Sequence, residues 1–230
     1  MHSLKYFSYH VNIGDVRSLI VNSPKAMHAE LDDKHLERAV IAENAVRISA
    51  GLEDAEDLIS DLERSLNTAA TEICGVSAED IDAVAALEAV AFPREKAATR
   101  EAFEYRIANF GEYFFAARHN GKIVGIIDGA PSNRKYIMDD LYKADGEFDK
   151  DGETLLIYGL AVHPDYREGG IAERLMNALL EYAARNSKKR AALTTEKELI
   201  GFYEKLGYKN HGISSSTIGN TVEFDLEQTL

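Results

Sequence analysis

The chain has 230 residues, 45% hydrophobic and 28% charged, with 26 basic against 39 acidic side chains and a formal net charge of -13. Four prolines and 16 glycines exclude a collagen-like or disordered chain, and no apolar run approaches the ~18 residues of a membrane span. A single cysteine, Cys74, excludes an internal disulfide, the seven histidines are too scattered for a zinc site, and the acidic balance opposes nucleic-acid phosphates. Met1 to Tyr9 carries one lysine and no apolar core of signal-peptide length, so a cytoplasmic protein with no membrane, nucleic-acid or metal partner is expected.

Strand-like runs at 6–11, 18–21 and 46–49 alternate with helical patterns at 33–40 and 54–66, which predicts a small α+β domain over residues 1–70. In the last helix Leu58, Ile59, Leu62 and Leu66 share a face, and Glu53, Asp54, Glu56 and Asp57 crowd the end where the macrodipole favours anions. The composition changes between Leu66 and Ser77, where a domain seam is expected. A unit this small is near the lower limit for a core of its own, so it is expected to lean on the second domain or build a homodimer.

Asn12-Ile13-Gly14-Asp15 with Ser18-Leu19, followed by Arg47-Ile48-Ser49-Ala50-Gly51-Leu52-Glu53-Asp54, resembles the C-terminal end of the pyridoxal-phosphate enzymes of methionine biosynthesis. These are the cystathionine γ-synthase and O-acetylhomoserine sulfhydrylase enzymes. The resemblance covers roughly the first 66 residues and implies that Ser18 and Arg47 would hold an amino-acid carboxylate. No segment resembling the large domain with the Schiff-base lysine is present, and residues 22–28 depart from the family's small-residue run, so no pyridoxal phosphate is expected.

From residue 76 to 230 a second domain is expected. Ser77-Ala78-Glu79-Asp80 is a capping-box-like start for a helix with Ile81, Val84, Ala85, Leu87 and Ala91 at helical spacing, ended by Phe92-Pro93. A helix over 100–110 burying Phe103 and Ile107 follows, then two strands joined at Asn120-Gly121, a hairpin signal. The acidic stretch from Pro131 to Glu153 is too long for a plain connection; it reads as a solvated excursion or a functional loop. Residues 155–162 read as a buried central strand, and the next helix places Ala172, Leu175, Met176, Leu179 and Ala183 on its apolar face. The turn between them, Arg167-Glu168-Gly169-Gly170-Ile171-Ala172, offers helix-initial N–H groups and close backbone approach to an anion. Ser187-Lys188-Lys189-Arg190 reads as a solvated helix end, 191–194 as a strand, and 196–206 as a helix closed by Gly207.

Arg167-x-x-Gly170-x-Ala172 after a Leu-Ala-Val-His strand, with Phe202-Tyr203-x-x-Leu206-Gly207-Tyr208 downstream, resembles the GNAT superfamily of acetyl-CoA-dependent N-acetyltransferases. Phe92-Pro93, the turn at His163-Pro164-Asp165-Tyr166-Arg167 and Leu193-Thr194 are similar to arylalkylamine N-acetyltransferase and its microbial relatives. The resemblance implies a GNAT fold, a mixed central sheet flanked by helices. It also implies acetyl-CoA as cosubstrate: the pantetheine arm beside Leu160, Ala161 and Val162, the pyrophosphate on Arg167, Glu168, Gly169, Gly170, Ile171 and Ala172, and Tyr203 as general acid for the thiolate. A backbone N–H of Leu160 or Val162 would face the thioester oxygen. Leu156 and Tyr158 stand where the animal enzymes carry two histidines, so the base is not read, although Tyr158 could relay a proton through water. His163 reads as a structural or rim residue. The expected acceptor is a small cationic amine; the competing reading is a catalytically weak acyl-CoA-binding protein with an N-terminal sensing or dimerising module.

Overall fold

The computed structural model describes residues 4–11, 15–39, 41–42, 44–142, 148–216 and 221–230. The chain forms two compact units, 1–69 and 70–230.

In the first unit β1 (Ser8–Tyr9), β2 (Leu19–Asn22) and β3 (Val46–Ser49) form a sheet in that order, with β1 parallel and β3 antiparallel to β2. The run at 22–28 contains a short helix, α1 (Ser23–Met27), because the Asn22 side chain accepts from the Lys25 N–H and Pro24 occupies the first turn. α2 (Asp33–Arg38) follows, and Val40 lies outside the described residues, as does the Asn12-Ile13-Gly14 motif. α3 (Ala55–Ala69) packs Leu58 against Phe7 and Ile20, while its buried Asp61 accepts from the Lys5 and Tyr6 backbone N–H groups.

The second unit is an α+β body. Its described strands form a seven-stranded sheet in the order β4 (Thr71–Gly75), β5 (Phe114–His119), β6 (Lys122–Ser132), β7 (Thr154–Val162), β8 (Arg190–Glu196), β10 (Glu223–Thr229) and β9 (Lys209–Ile213). The sheet is mixed because β7 and β8 are parallel, joined through α6 (Ile171–Arg185), while the other neighbours are antiparallel. The stretch read as a seam contains β4, an edge strand whose side chains are mostly half-exposed. Its ladder with β5, rather than a run of apolar side chains, holds it in place.

α4 (Ile81–Ala91) starts after Ser77, whose backbone N–H donates to the Asp80 carboxylate at 2.9 Å. α5 (Arg100–Phe110) is capped by the Thr99 side chain. Asn120 and Gly121 have φ 49° and 78°, the two positive values a two-residue hairpin turn needs. α4 and α5 cover one sheet face through Val84, Leu87 and Phe103 against Phe114, Ala116, Ile126 and Ala161. α6 covers the other through Leu175, Met176 and Leu179, with each such side chain contributing roughly 1.5–3 kcal/mol by burial. It comes close at Gly125, where a Cβ would meet Leu175 Cδ1 at 3.0 Å.

Three expectations are corrected. Ser187-Lys188-Lys189-Arg190 is not a solvated helix end: Lys188 is buried, and its Nζ donates to the Lys150 and Gly152 carbonyls at 2.7 and 2.8 Å, anchoring the chain ahead of β7. The helix expected over 196–206 begins later, with Glu196 in β8, a 3-10 turn at Lys197–Leu199 and α7 (Ile200–Lys205). The acidic stretch after Pro131 is only partly solvated, since Ile137 and Leu141 pack on Leu156 and Ala192. Its Asp140 pairs with Arg134 and its Asp149 accepts from Asn133, while Asp145 and Glu147 lie outside the described residues. No helix among the described residues is long and apolar enough to cross a membrane.

Candidate active site

β7 and β8 part company soon after they meet. Their pairing covers Thr154, Leu155 and Leu156 against Arg190, Ala191 and Ala192, and residues 157–162 continue with a ladder to β6 alone. On that ladder Asp128 pairs with Gly159 and Gly129 with Ile157, so Tyr158 is the extra residue of a β-bulge, which turns the strand at the point of parting. Leu160, Ala161 and Val162 therefore lie along a cleft edge whose facing backbone groups have no strand partner among the described residues. The Val162 carbonyl accepts from Arg167 Nε at 3.0 Å.

The turn that follows is locally determined. His163 donates its backbone N–H to Val124, its Nδ1 accepts from the Asp165 N–H at 3.3 Å, and Pro164 opens a 3-10 turn. Glu168 has φ 62° and an exposed side chain; Gly170 has φ 89° and is the N-cap of α6. A Cβ on Gly170 would touch nothing within 4 Å, so the backbone angle rather than crowding calls for glycine. Because glycine offers no capping side chain, the first N–H groups of α6, including those of Ile171 and Ala172, are left for an anion at the positive end of a 15-residue helix.

Tyr203 on α7 is buried at 8% exposure, with its ring edge-on to Phe202 and Tyr208 at centroid distances of 5.0 and 5.8 Å. Tyr158 is half-buried, edge-on to Phe110, with the Arg106 guanidinium 5.1 Å from its ring centroid. In the first unit Ser18 is fully buried: its hydroxyl donates to Glu53 at 2.8 Å and accepts from the Gly51 N–H at 2.8 Å, so it serves as an internal latch.

Sequence reasoning missed a buried charge cluster behind Tyr158. Arg106 Nη1 donates to Asp128 Oδ2 at 3.0 Å with both side chains almost wholly enclosed, and Glu88 on α4 accepts from the Ala98 N–H at 2.9 Å. A signal existed, since Glu88 falls on the apolar stripe of Ile81, Val84 and Leu87, and Arg106 lies between Phe103 and Phe110. Burial raises the Asp128 carboxyl against the opposing pull of Arg106. Burial also pushes Glu88 up to about 7, helped by the Asp128 charge and opposed by the Ala98 N–H and Arg106.

Between about pH 4.5 and 7 the folded chain holds a proton on Glu88 that the unfolded chain has released. Stability must fall as pH rises across that window and level off above it, by roughly 3 kcal/mol from this group. Glu88→Gln keeps an acceptor for Ala98 and should flatten that part of the slope in urea melts taken at several pH values. An unaltered slope would remove Glu88 as its source.

Residues 81–208, more than half the chain, match the acetyltransferase (GNAT) family. The chain belongs to that family. The GNAT fold recurs in the loading GNATL domain of CurA from Lyngbya majuscula (TM-score 0.61, 14% identity, covering 69% of this chain and 97% of that one). It recurs also in Naa50 of Arabidopsis thaliana (TM-score 0.55, 20% identity, covering 70% and 99%). At such identities these likenesses show the fold alone. Residues 1–67 match the Cys/Met metabolism PLP-dependent enzymes. Over 61 residues the chain is 44% identical to O-acetyl-L-homoserine sulfhydrylase of Corynebacterium glutamicum, spanning 26% of this chain and 14% of that enzyme's length. The family is one of acetyltransferases, and its fold implies an acyl-CoA cosubstrate.

Proposed function

We propose that the second unit transfers acetyl from acetyl-CoA to the primary amine of a small cationic acceptor. One observation carries this reading: the sheet opens between β7 and β8 next to the uncapped N-terminus of α6. The backbone of Leu160, Ala161 and Val162 would pair with the pantetheine amides. A Leu160 or Val162 N–H would polarise the thioester carbonyl. The pyrophosphate would rest on the N–H groups of Gly169, Gly170, Ile171 and Ala172, with Arg167 at the rim and the exposed Glu168 side chain in solvent.

Tyr203 would return a proton to the departing thiolate. The acceptor must shed a proton before it attacks, and the Glu88–Asp128 pair, titrating near neutrality at Glu88, would take it up, with Tyr158, whose ring faces the Arg106 guanidinium, as the relay. The first unit is assigned a structural role, since the Ser18 hydroxyl is engaged internally.

The test is acetyl-CoA-dependent thiol release across arylalkylamines, polyamines and short peptides, with the background from Cys74 subtracted. Release confined to a class of cationic amines is the expected result. Tight acetyl-CoA binding without release from any amine would favour a catalytically weak acyl-CoA-binding protein instead.

A further inference from the structure

A second set of carboxylates lies across the parting, on the sheet face opposite α6 and α7. Leu193 of β8 and Leu226 of β10 belong to the core under α6 and α7, so strand alternation places Thr194 and Glu196, and Glu223 and Asp225, on the other face. Glu196 and Glu223 are direct cross-strand partners, and Asp225 is opposite Thr194. Like charges paired this way repel unless a cation stands between them.

That cation is Lys96, from the connection between α4 and α5. Its Nζ is 2.6 Å from Glu196 Oε1 and 3.1 Å from Glu223 Oε1. The two carboxylates thus already hold a primary ammonium, supplied by a connection rather than a helix or strand. One ammonium does not satisfy the set. Asp225 is 9% exposed, and although Ser214 bonds its carboxyl, Oδ1 has no hydrogen-bond partner among the described residues. A buried carboxylate oxygen left without a partner asks for a donor that the described residues do not provide.

We propose that Glu196, Glu223 and Asp225 form a binding site for the distal ammonium of a diamine or polyamine acceptor, with Lys96 as its occupant in the free protein. The site rests on the acetyltransferase reading above and narrows its acceptor to amines that carry a second positive charge. Binding displaces Lys96 Nζ or adds a donor at Asp225 Oδ1. The reacting amine lies toward β7.

The experiment has a kinetic arm and a binding arm. The kinetic arm compares kcat/KM for 1,5-diaminopentane and n-pentylamine, which differ only in the distal ammonium, in the full chain and in Glu223→Gln, Asp225→Asn and Lys96→Ala. A charge-assisted hydrogen-bonded contact predicts a diamine preference of about 10- to 100-fold in the natural chain. The preference should collapse toward one in the two carboxylate variants and grow in Lys96→Ala, which vacates the site. The binding arm titrates spermidine into the same proteins without acetyl-CoA. Binding that weakens about tenfold or more in Glu223→Gln and Asp225→Asn upholds the site even if no amine releases thiol, in which case the transfer reading alone fails. Transfer to monoamines and diamines at equal efficiency, or spermidine binding untouched by all three substitutions, would overturn the site and leave the transferase standing.

Discussion

Tyr203→Phe is expected to lower kcat by about 10²- to 10⁴-fold, the usual contribution of a positioned proton donor, with acetyl-CoA affinity nearly unchanged. The phenol sits at 8% exposure between Phe202 and Tyr208, and phenylalanine keeps both edge-on contacts. Loss of the hydroxyl should cost at most about 1 kcal/mol of stability, far less than the loss in turnover. Thiol release under saturating acetyl-CoA and amine, beside a thermal melt of the same preparation, separates the two quantities. Turnover within twofold of the natural chain would remove Tyr203 as the acid and leave it a packing residue of α7. A large fall in melting temperature would show that the hydroxyl serves the core.

Arg106→Met is expected to destabilise the second unit by about 3–5 kcal/mol, because it leaves Asp128 buried without a counter-charge and takes a favourable charge away from Glu88. The guanidinium also lies 5.6 Å from the Phe103 ring centroid and 5.1 Å from that of Tyr158, so methionine loses both cation–π contacts while filling much of the space. The loss has a pH signature. Protonating the two carboxyls removes the uncompensated charge, so the variant should recover part of its stability as pH falls from 8 toward 5. The double variant Arg106→Met, Asp128→Leu removes the stranded charge by another route and should be more stable than the single one at pH 8. Equal stability of single and double variants would show that packing, and not the ion pair, sets the cost. Tyr158 loses its support in either variant, so reduced turnover is expected even where the fold survives.

Local features were the legible part. α5 was readable to the residue because Thr99 caps it and an aromatic-rich periodicity runs from Phe103 to Phe110. The hairpin at Asn120-Gly121 and the turn from His163 to Gly170 follow from backbone preferences of single residues, and those are written in the chain. The family resemblances were legible for the same reason, since both rest on short contiguous motifs. Strands of low apolar content were not. β4, β9 and β10 are held by ladders to distant partners, and β9 exposes nearly every side chain, so no periodicity announced it.

By itself the sequence determined the order of elements from α4 to α7, the glycine turn ahead of α6, the position of Tyr203 and the acidic balance that disfavours nucleic acid. Tertiary structure alone decided which charges are buried. Arg106 and Asp128 are 22 residues apart, and Lys96 is 100 and 127 residues from Glu196 and Glu223. Lys188, read as solvated, closes on two loop carbonyls. A charged side chain looks the same in a sequence whether water or a partner satisfies it. Only the fold, by bringing distant strands and helices into register and excluding solvent there, determines which carboxylates share a cation and which hold a proton near neutral pH.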